Sequence, residues 1–336
     1  MADTNPNEAK IETIDKILSA NTGNEEAFPK TVAKGVWEKV LKGSVIQGLA
    51  GSIPVTLNGT AIPVPVGQPV AGIVAEGGEK PVGTLETKVK TMEPVKAALT
   101  IIYSMEAAQA DPLGEYSRIQ AALAEGVARA IDTAVITGKD ALTGATLEGK
   151  ESLLDAATGV EIDLTDETPG YLAGKISDAY DAVTLYDEGD FEFTELLLGR
   201  EWRSPLIGAV DAGGNRLYTS GNLNQAVSQV LGLNATFSQA VHGWGAAKDA
   251  TLLGFGGDFK DAVKFGYVER ITFRRASERA GGIDLFDRNL GAILCEAQFG
   301  WVIRDTNAFA KFTTPAGEGN EVVTPPESGD DSGDGE

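Results

Sequence analysis

Between Ser52 and Thr100 the chain places prolines at 54, 63, 65, 69, 81 and 94 and glycines at 59, 67, 72, 77, 78 and 83. A long helix does not survive that spacing, because each proline removes a backbone donor and fixes φ. What remains is strand and turn, and Thr84-Leu-Glu-Thr-Lys-Val-Lys90 alternates as a strand does. It offers little apolar surface, and an isolated hairpin of this kind is marginal in water. The stretch is read as an arm that gains its stability by lying across a neighbouring copy. The alternative is an ordinary exposed hairpin.

The next feature is the opposite in texture. Asp111 is a good N-cap with Pro112 at the first helical position. Tyr116, Ile119, Leu123, Val127, Ala130, Ile131 and Ala134 then fall on one face at helical spacing, and Gly138 ends the run. That makes a rod of about 40 Å at 1.5 Å per residue. Glu115, Arg118, Glu125, Arg129 and Asp132 take the other face, so one buried side is expected.

Ahead of the hairpin, Ile11, Ile14, Ile17 and Leu18 mark a short amphipathic stretch that cannot bury its own face. Pro29 opens a second helix, with Val32, Val36, Trp37, Val40 and Leu41 as its stripe and Gly43 as its stop. Residues 138–170 read as a polar connection rich in Gly and acid. A mixed block follows, with a helix at about 171–187 (Leu172, Ile176, Ala179, Tyr180, Val183) and a strand at 191–198. The last folded section is strand-rich. In 292–304, Ile293, Cys295, Ala297, Phe299, Trp301 and Ile303 point one way, and Leu294, Glu296, Gln298 and Arg304 the other, so a long strand with one packed face is expected.

Composition narrows the chemistry. One histidine, His242, and one cysteine, Cys295, leave little for Ser/His/Asp, Cys/His or thiolate-metal sites. His242 reads as a loop histidine and Cys295 as a small core residue. The net charge is −21, and the seven acids of the last 20 residues, with no Lys or Arg among them, leave −14 on the rest. Such a surface repels phosphates, so direct duplex binding is not expected. No stretch is long and apolar enough to span a bilayer, and the start lacks a signal-peptide pattern, so a soluble intracellular product is expected.

Two glycine-rich spots, Gly254-Phe-Gly-Gly-Asp258 and Asp211-Ala-Gly-Gly-Asn215, lack the spacing of phosphate or dinucleotide loops and read as turns. Glu161-Ile-Asp-Leu-Thr-Asp-Glu167 lacks the central Gly of a calcium loop and reads as solvated.

In order and spacing these parts resemble the tailed-bacteriophage major capsid protein family. The hairpin carries Ala71-Gly-Ile-Val-Ala-Glu76-Gly77, Lys80-Pro81, Met92-Glu-Pro94-Val-Lys96 and then Ser104-Met-Glu106, a succession similar to the family's approach to its long helix. Leu285-Phe-Asp-Arg-Asn289, Ile293-Leu-Cys-Glu296 and Ile303-Arg-Asp305-Thr-Asn-Ala308-Phe309 resemble its closing strand. The similarity runs from about residue 30 to about 313.

The resemblance implies an α+β chain with the tailed-phage major capsid fold. Its parts are an N-terminal arm at 1–50, an extended β-hairpin loop at 51–102, and a peripheral domain with a long spine helix from 103–165 and 257–312. An axial domain at 166–256 and a disordered acidic tail at 313–336 complete it. The implied role is structural and not enzymatic: a subunit that self-assembles as pentamers and hexamers into the icosahedral shell around a double-stranded DNA genome. No cofactor and no metal are expected. Implied partners are further copies, a portal and a separate scaffolding protein, because about 30 residues ahead of the arm helix are too few for a fused scaffold. DNA is enclosed without sequence-specific binding, no membrane is involved, and the virion capsid is assembled in the bacterial host cytoplasm.

Some members of the family weld their shells by an isopeptide bond between a loop lysine and an asparagine, promoted by a glutamate. Lys80, Asn289 and Glu296 are the matching candidates. Otherwise Asn289 is a turn residue and Glu296 pairs with an arginine. Two rival functions stay open: a nanocompartment shell protein enclosing an enzyme cargo, and a soluble hydrolase using acidic residues, which needs two carboxylates converging in a cleft.

Overall fold

A computed structural model describes residues 43–66, 71–76, 78–83, 86–110, 115–166, 168–186, 191–209 and 229–315. The N-terminal helices, the caps Asp111 and Pro112, the Asp211–Asn215 turn and the acidic tail lie outside the described residues.

In chain order, a short helix α1 (Ile46–Leu49) precedes β1 (Gly51–Ser52), the hairpin strands β2 (Thr60–Val66) and β3 (Glu86–Met92), and β4 (Val95–Ser104). Two helices follow, α2 (Met105–Ala110) and the long α3 (Glu115–Thr137). Next come β5 (Thr158–Glu161), α4 (Tyr171–Thr184), β6 (Glu195–Leu198), α5 (Arg203–Gly208), β7 (Gln229–Val230), β8 (Leu233–Phe237) and β9 (Leu252–Gly257). The chain closes with α6 (Phe259–Ala262), β10 (Val263–Ala276), β11 (Arg279–Ala280), β12 (Ile283–Asp284), β13 (Leu290–Ile303) and β14 (Phe309–Thr313). One sheet runs β1-β10-β13-β4 and a second runs β5-β14-β9-β6-β8-β7; β2-β3 and β11-β12 are two-stranded.

The residues divide into two compact units. The smaller draws on Leu99–Leu123 and Phe273–Cys295. In it Leu285, Leu290 and Ala292 are buried, with Ile102, Ala280 and Ile283 packed against them. Gly291 lets the sheet close there, since a Cβ would stand 2.7 Å from the Tyr103 ring.

The larger unit is built on the six-stranded sheet. Leu172, Ile176, Ala179 and Val183 make the buried stripe of α4, which packs on β5, β14 and β9. Leu172, Ile176 and Val183 each contribute about 1.5–3 kcal/mol by leaving water. Trp202 lies tilted 5.7 Å from Phe312, and its indole N–H donates to the Leu253 carbonyl at 2.9 Å, so its polar edge is satisfied inside the core.

Four expectations change. The Gly254–Asp258 run is not a turn: through Gly257 it belongs to β9, buried along its length between β14 and β6. Its glycines serve close packing, since a Cβ on Gly256 would stand 2.1 Å from the Phe193 ring. The 138–170 connection is not merely polar loop, because β5 pairs in parallel with β14 and Leu153 and Ile162 are buried. The long helix does not keep one wet side. Its last turns are buried all round, taking in Asp132, Thr133 and Thr137. Finally, β13 is covered on both faces, and Glu296 is 3% exposed rather than solvent-facing. Cys295 is buried, in keeping with a core role.

Candidate functional site

The hairpin is the feature that a folded monomer explains least. β2 and β3 pair antiparallel from Thr60↔Met92 to Val66↔Glu86. Alternation then sorts the side chains. Met92 is fully buried, and Ile62 and Val64 on its face are partly covered. On the other face Ala61, Pro63, Thr87, Val89 and Thr91 are all exposed, and none carries charge. Beyond the strands Ile73 and Val82 are fully open to solvent.

The root of the hairpin is clamped. Lys90 donates to Glu151 at 2.7 Å and to the Ile303 carbonyl at 2.8 Å, and Lys150 reaches the Glu93 carbonyl at 3.1 Å. Trp301 donates to the Glu151 carbonyl at 2.8 Å, tying the same corner to β13.

A groove of about 490 Å³ lies beneath, lined by Ile62, Pro63 and Val64 with Glu192, Asp258, Asp261, Lys264, Val302 and Arg304. Its carboxylates have structural work: Asp258 caps α6 by accepting from the Asp261 N–H at 3.0 Å, and Asp261 lies 3.5 Å from Lys264. Next to it, burial and then the Asp258 charge raise the Glu195 carboxyl above its ordinary value. Among the described residues no group of three or more His, Cys, Asp or Glu is placed to hold a metal ion. No described helix is long and apolar enough to cross a membrane.

His242 ends a short 3-10 turn, and its Nε2 lies 3.2 Å from Glu201 Oε2. The hydrogen bond that the imidazole donates to Glu201 raises it above its ordinary 6.5, against the opposing effect of burial. Beside this turn Arg129 stacks 4.5 Å over the Trp244 ring and pairs with Glu125. The His242–Glu201 pair joins two turns.

The weld candidates are placed separately. Lys80 is exposed in a stretch without regular structure. Asn289 caps a 3-10 turn in the left-handed region at φ 53 and donates its amide to Glu106 Oε1 at 2.8 Å. Glu296 sits within β13 with the Lys96 ammonium at 2.6 Å. The carboxylate that meets Asn289 within the chain is thus Glu106. Its 183-residue separation leaves no local signal in the sequence.

A model of the phage capsid family matches residues 27–314. The chain is similar to the probable major capsid protein gp17 of Mycobacterium phage L5, 27% identical over 305 residues, covering 84% of this chain and 87% of the relative. It is 24% identical over 313 residues to the probable major capsid protein gp17 of Mycobacterium phage D29, covering 86% and 90%. A solved structure from Gordonia phage Cozz shares the fold with a TM-score of 0.74 and 30% identity, covering 86% of this chain and 92% of that one.

Proposed function

This chain belongs to the phage capsid family and is a major capsid protein, and from that premise we propose that it closes as pentamers and hexamers into an icosahedral shell around a double-stranded DNA genome. The observation that carries the reading is the uncharged, exposed face of the hairpin, with Val89 at 64% and Ile73 and Val82 fully exposed. Apolar surface of this kind on a charged protein marks a contact. A second copy covering it supplies the apolar burial that a lone hairpin lacks. Heterologous contacts of that sort close into rings, as one chain used many times requires.

In this arrangement 51–102 is the extended loop, 103–165 and 257–312 form the peripheral domain, and 166–256 the axial domain. A separate scaffolding protein and a portal direct assembly in the host cytoplasm. A surface of net −21 encloses DNA without gripping its phosphates. Placing glutamate at Val89 and Ile73 tests the reading: shells are lost while the subunit stays folded, and shells of wild-type yield would overturn it.

The covalent weld is a second part of the proposal, supported by the exposure of both Lys80 and Asn289. A glutamate takes a proton from the Lys80 ammonium, the freed amine attacks the Asn289 side-chain carbonyl, and ammonia leaves as the isopeptide forms.

A further inference from the structure

The sequence contains a single Asn-Gly pair, Asn58-Gly59. It sits in the turn that leads into β2, where Leu57 is 70% exposed and Asn58 beside it is also exposed. The fold requires the glycine. Gly59 has φ +85, and a Cβ there would stand 3.2 Å from the Met92 carbonyl oxygen and 3.3 Å from Thr91 Cγ2, at the end of β3.

Four asparagines lie among the described residues, and they differ in what holds them. Asn289 donates its side-chain amide to Glu106 at 2.8 Å, and Asn307 donates to Asp305 at 2.9 Å. Asn234 lies within β8, paired with Glu195 on one side and Gln229 on the other. The Asn58 side chain has no hydrogen-bond partner among the described residues. The other three are followed by alanine or leucine, whose Cβ crowds the next backbone nitrogen. Only Asn58 precedes a residue without one.

We infer that Asn58 is a site of spontaneous covalent modification, at which the side-chain amide closes on Gly59 and deamidates at a rate set by the Thr56 turn. The Gly59 nitrogen attacks Asn58 Cγ. The N–Cγ bond forms, the Cγ–Nδ2 bond breaks, and the Gly59 amide proton leaves with Nδ2 as ammonia. The product is a five-membered succinimide. Water then opens the ring at either carbonyl, giving aspartate or an isoaspartyl linkage that carries the main chain through the side chain. Solvent water is the only co-reactant.

The turn restrains this step. The Gly59 N–H donates to the Thr56 carbonyl at 3.0 Å, so the attacking nitrogen is engaged while the turn is closed. The Thr56 hydroxyl donates to the Gly59 carbonyl, and the Thr56 N–H donates to Thr60 Oγ1 at 3.3 Å. All of these bonds pass through Thr56, and both side-chain bonds are exposed. Exposed bonds of this kind open locally at little cost, and ring closure proceeds from the opened turn. Conversion adds a negative charge at the foot of the hairpin. The isoaspartyl form also adds a backbone carbon just before β2, where Thr60 faces Met92.

The test is peptide mass spectrometry of the full-length protein held in mildly alkaline buffer, folded or in urea, with fragmentation that separates aspartyl from isoaspartyl forms. In the folded protein Asn58 converts to both acids, while Asn234, Asn289 and Asn307 keep their amides. Thr56→Ala, verified as folded by circular dichroism, converts severalfold faster because the hydroxyl bond to the Gly59 carbonyl is gone. Asn58→Gln, whose closure needs a six-membered ring, accumulates no acid over the same interval. An Asn58 that stays amide in the folded protein overturns the proposal, whether or not it converts in urea. Equal conversion at all four asparagines overturns it as well, and an unchanged rate in folded Thr56→Ala overturns the role of the turn.

Discussion

Asn289 and Glu106 hold each other by side-chain amide to carboxylate at 2.8 Å, while the Met105 N–H donates to the Asn289 carbonyl at 3.1 Å. Asn289 also bears a left-handed backbone, φ 53, that asparagine tolerates better than most residues. Asn289→Ala loses both advantages and destabilises by about 1–2 kcal/mol. Asn289→Gly recovers the backbone part and lies between the two. Chemical denaturation of the three proteins measures the order; an alanine variant as stable as wild type contradicts it.

The weld makes a separate prediction for assembled particles. Covalent ladders on denaturing gels disappear in Asn289→Asp and Lys80→Arg, with shells still formed. Glu106→Gln and Glu296→Gln, run side by side, identify the promoting carboxylate: the one whose loss removes the ladder while leaving particles intact. Wild-type particles that dissolve wholly to monomer exclude the bond.

His242 gives the larger unit an alkaline sensitivity. The Glu201 hydrogen bond raises the imidazole above 6.5, so the stabilisation is complete below that value and is lost as pH rises through the raised one. Thermal unfolding across that interval shows a decline in wild type, and Glu201→Gln flattens it. A decline unchanged in Glu201→Gln assigns it to another group.

Gly266 is a packing glycine. A Cβ there would stand 1.8 Å from the Ile53 carbonyl and 2.8 Å from Val55 Cγ2. It would push apart the place where β1 runs parallel to β10 and Ile53 N bonds the Phe265 carbonyl at 3.0 Å. Gly266→Ala is expected to destabilise by about 1–3 kcal/mol, measured by denaturant titration. Wild-type stability would mean the strands can separate freely.

Local patterns carried part of this account. Helical spacing located the buried stripe of α4, and alternation in 84–90 marked a strand of the hairpin, because each period depends only on neighbouring residues. The glycines of β9 misled, since their reason is the Phe193 ring and neighbouring strands far away in sequence. Asp132 had the spacing of a solvent face, yet it is buried because residues 86–88 positions earlier cover it. The partners Glu106 and Lys96 were likewise illegible, because side-chain pairs across a fold leave no local trace. The family resemblance drew on order and spacing over most of the chain, which a long-range architecture preserves when single motifs do not.

Electron microscopy of the purified full-length protein tests the central claim most directly. Closed shells tiled by pentamers and hexamers, in which the 51–102 hairpin of one copy covers its neighbour, are the expected result. A monodisperse monomer, whatever the salt or scaffold supplied, would contradict it.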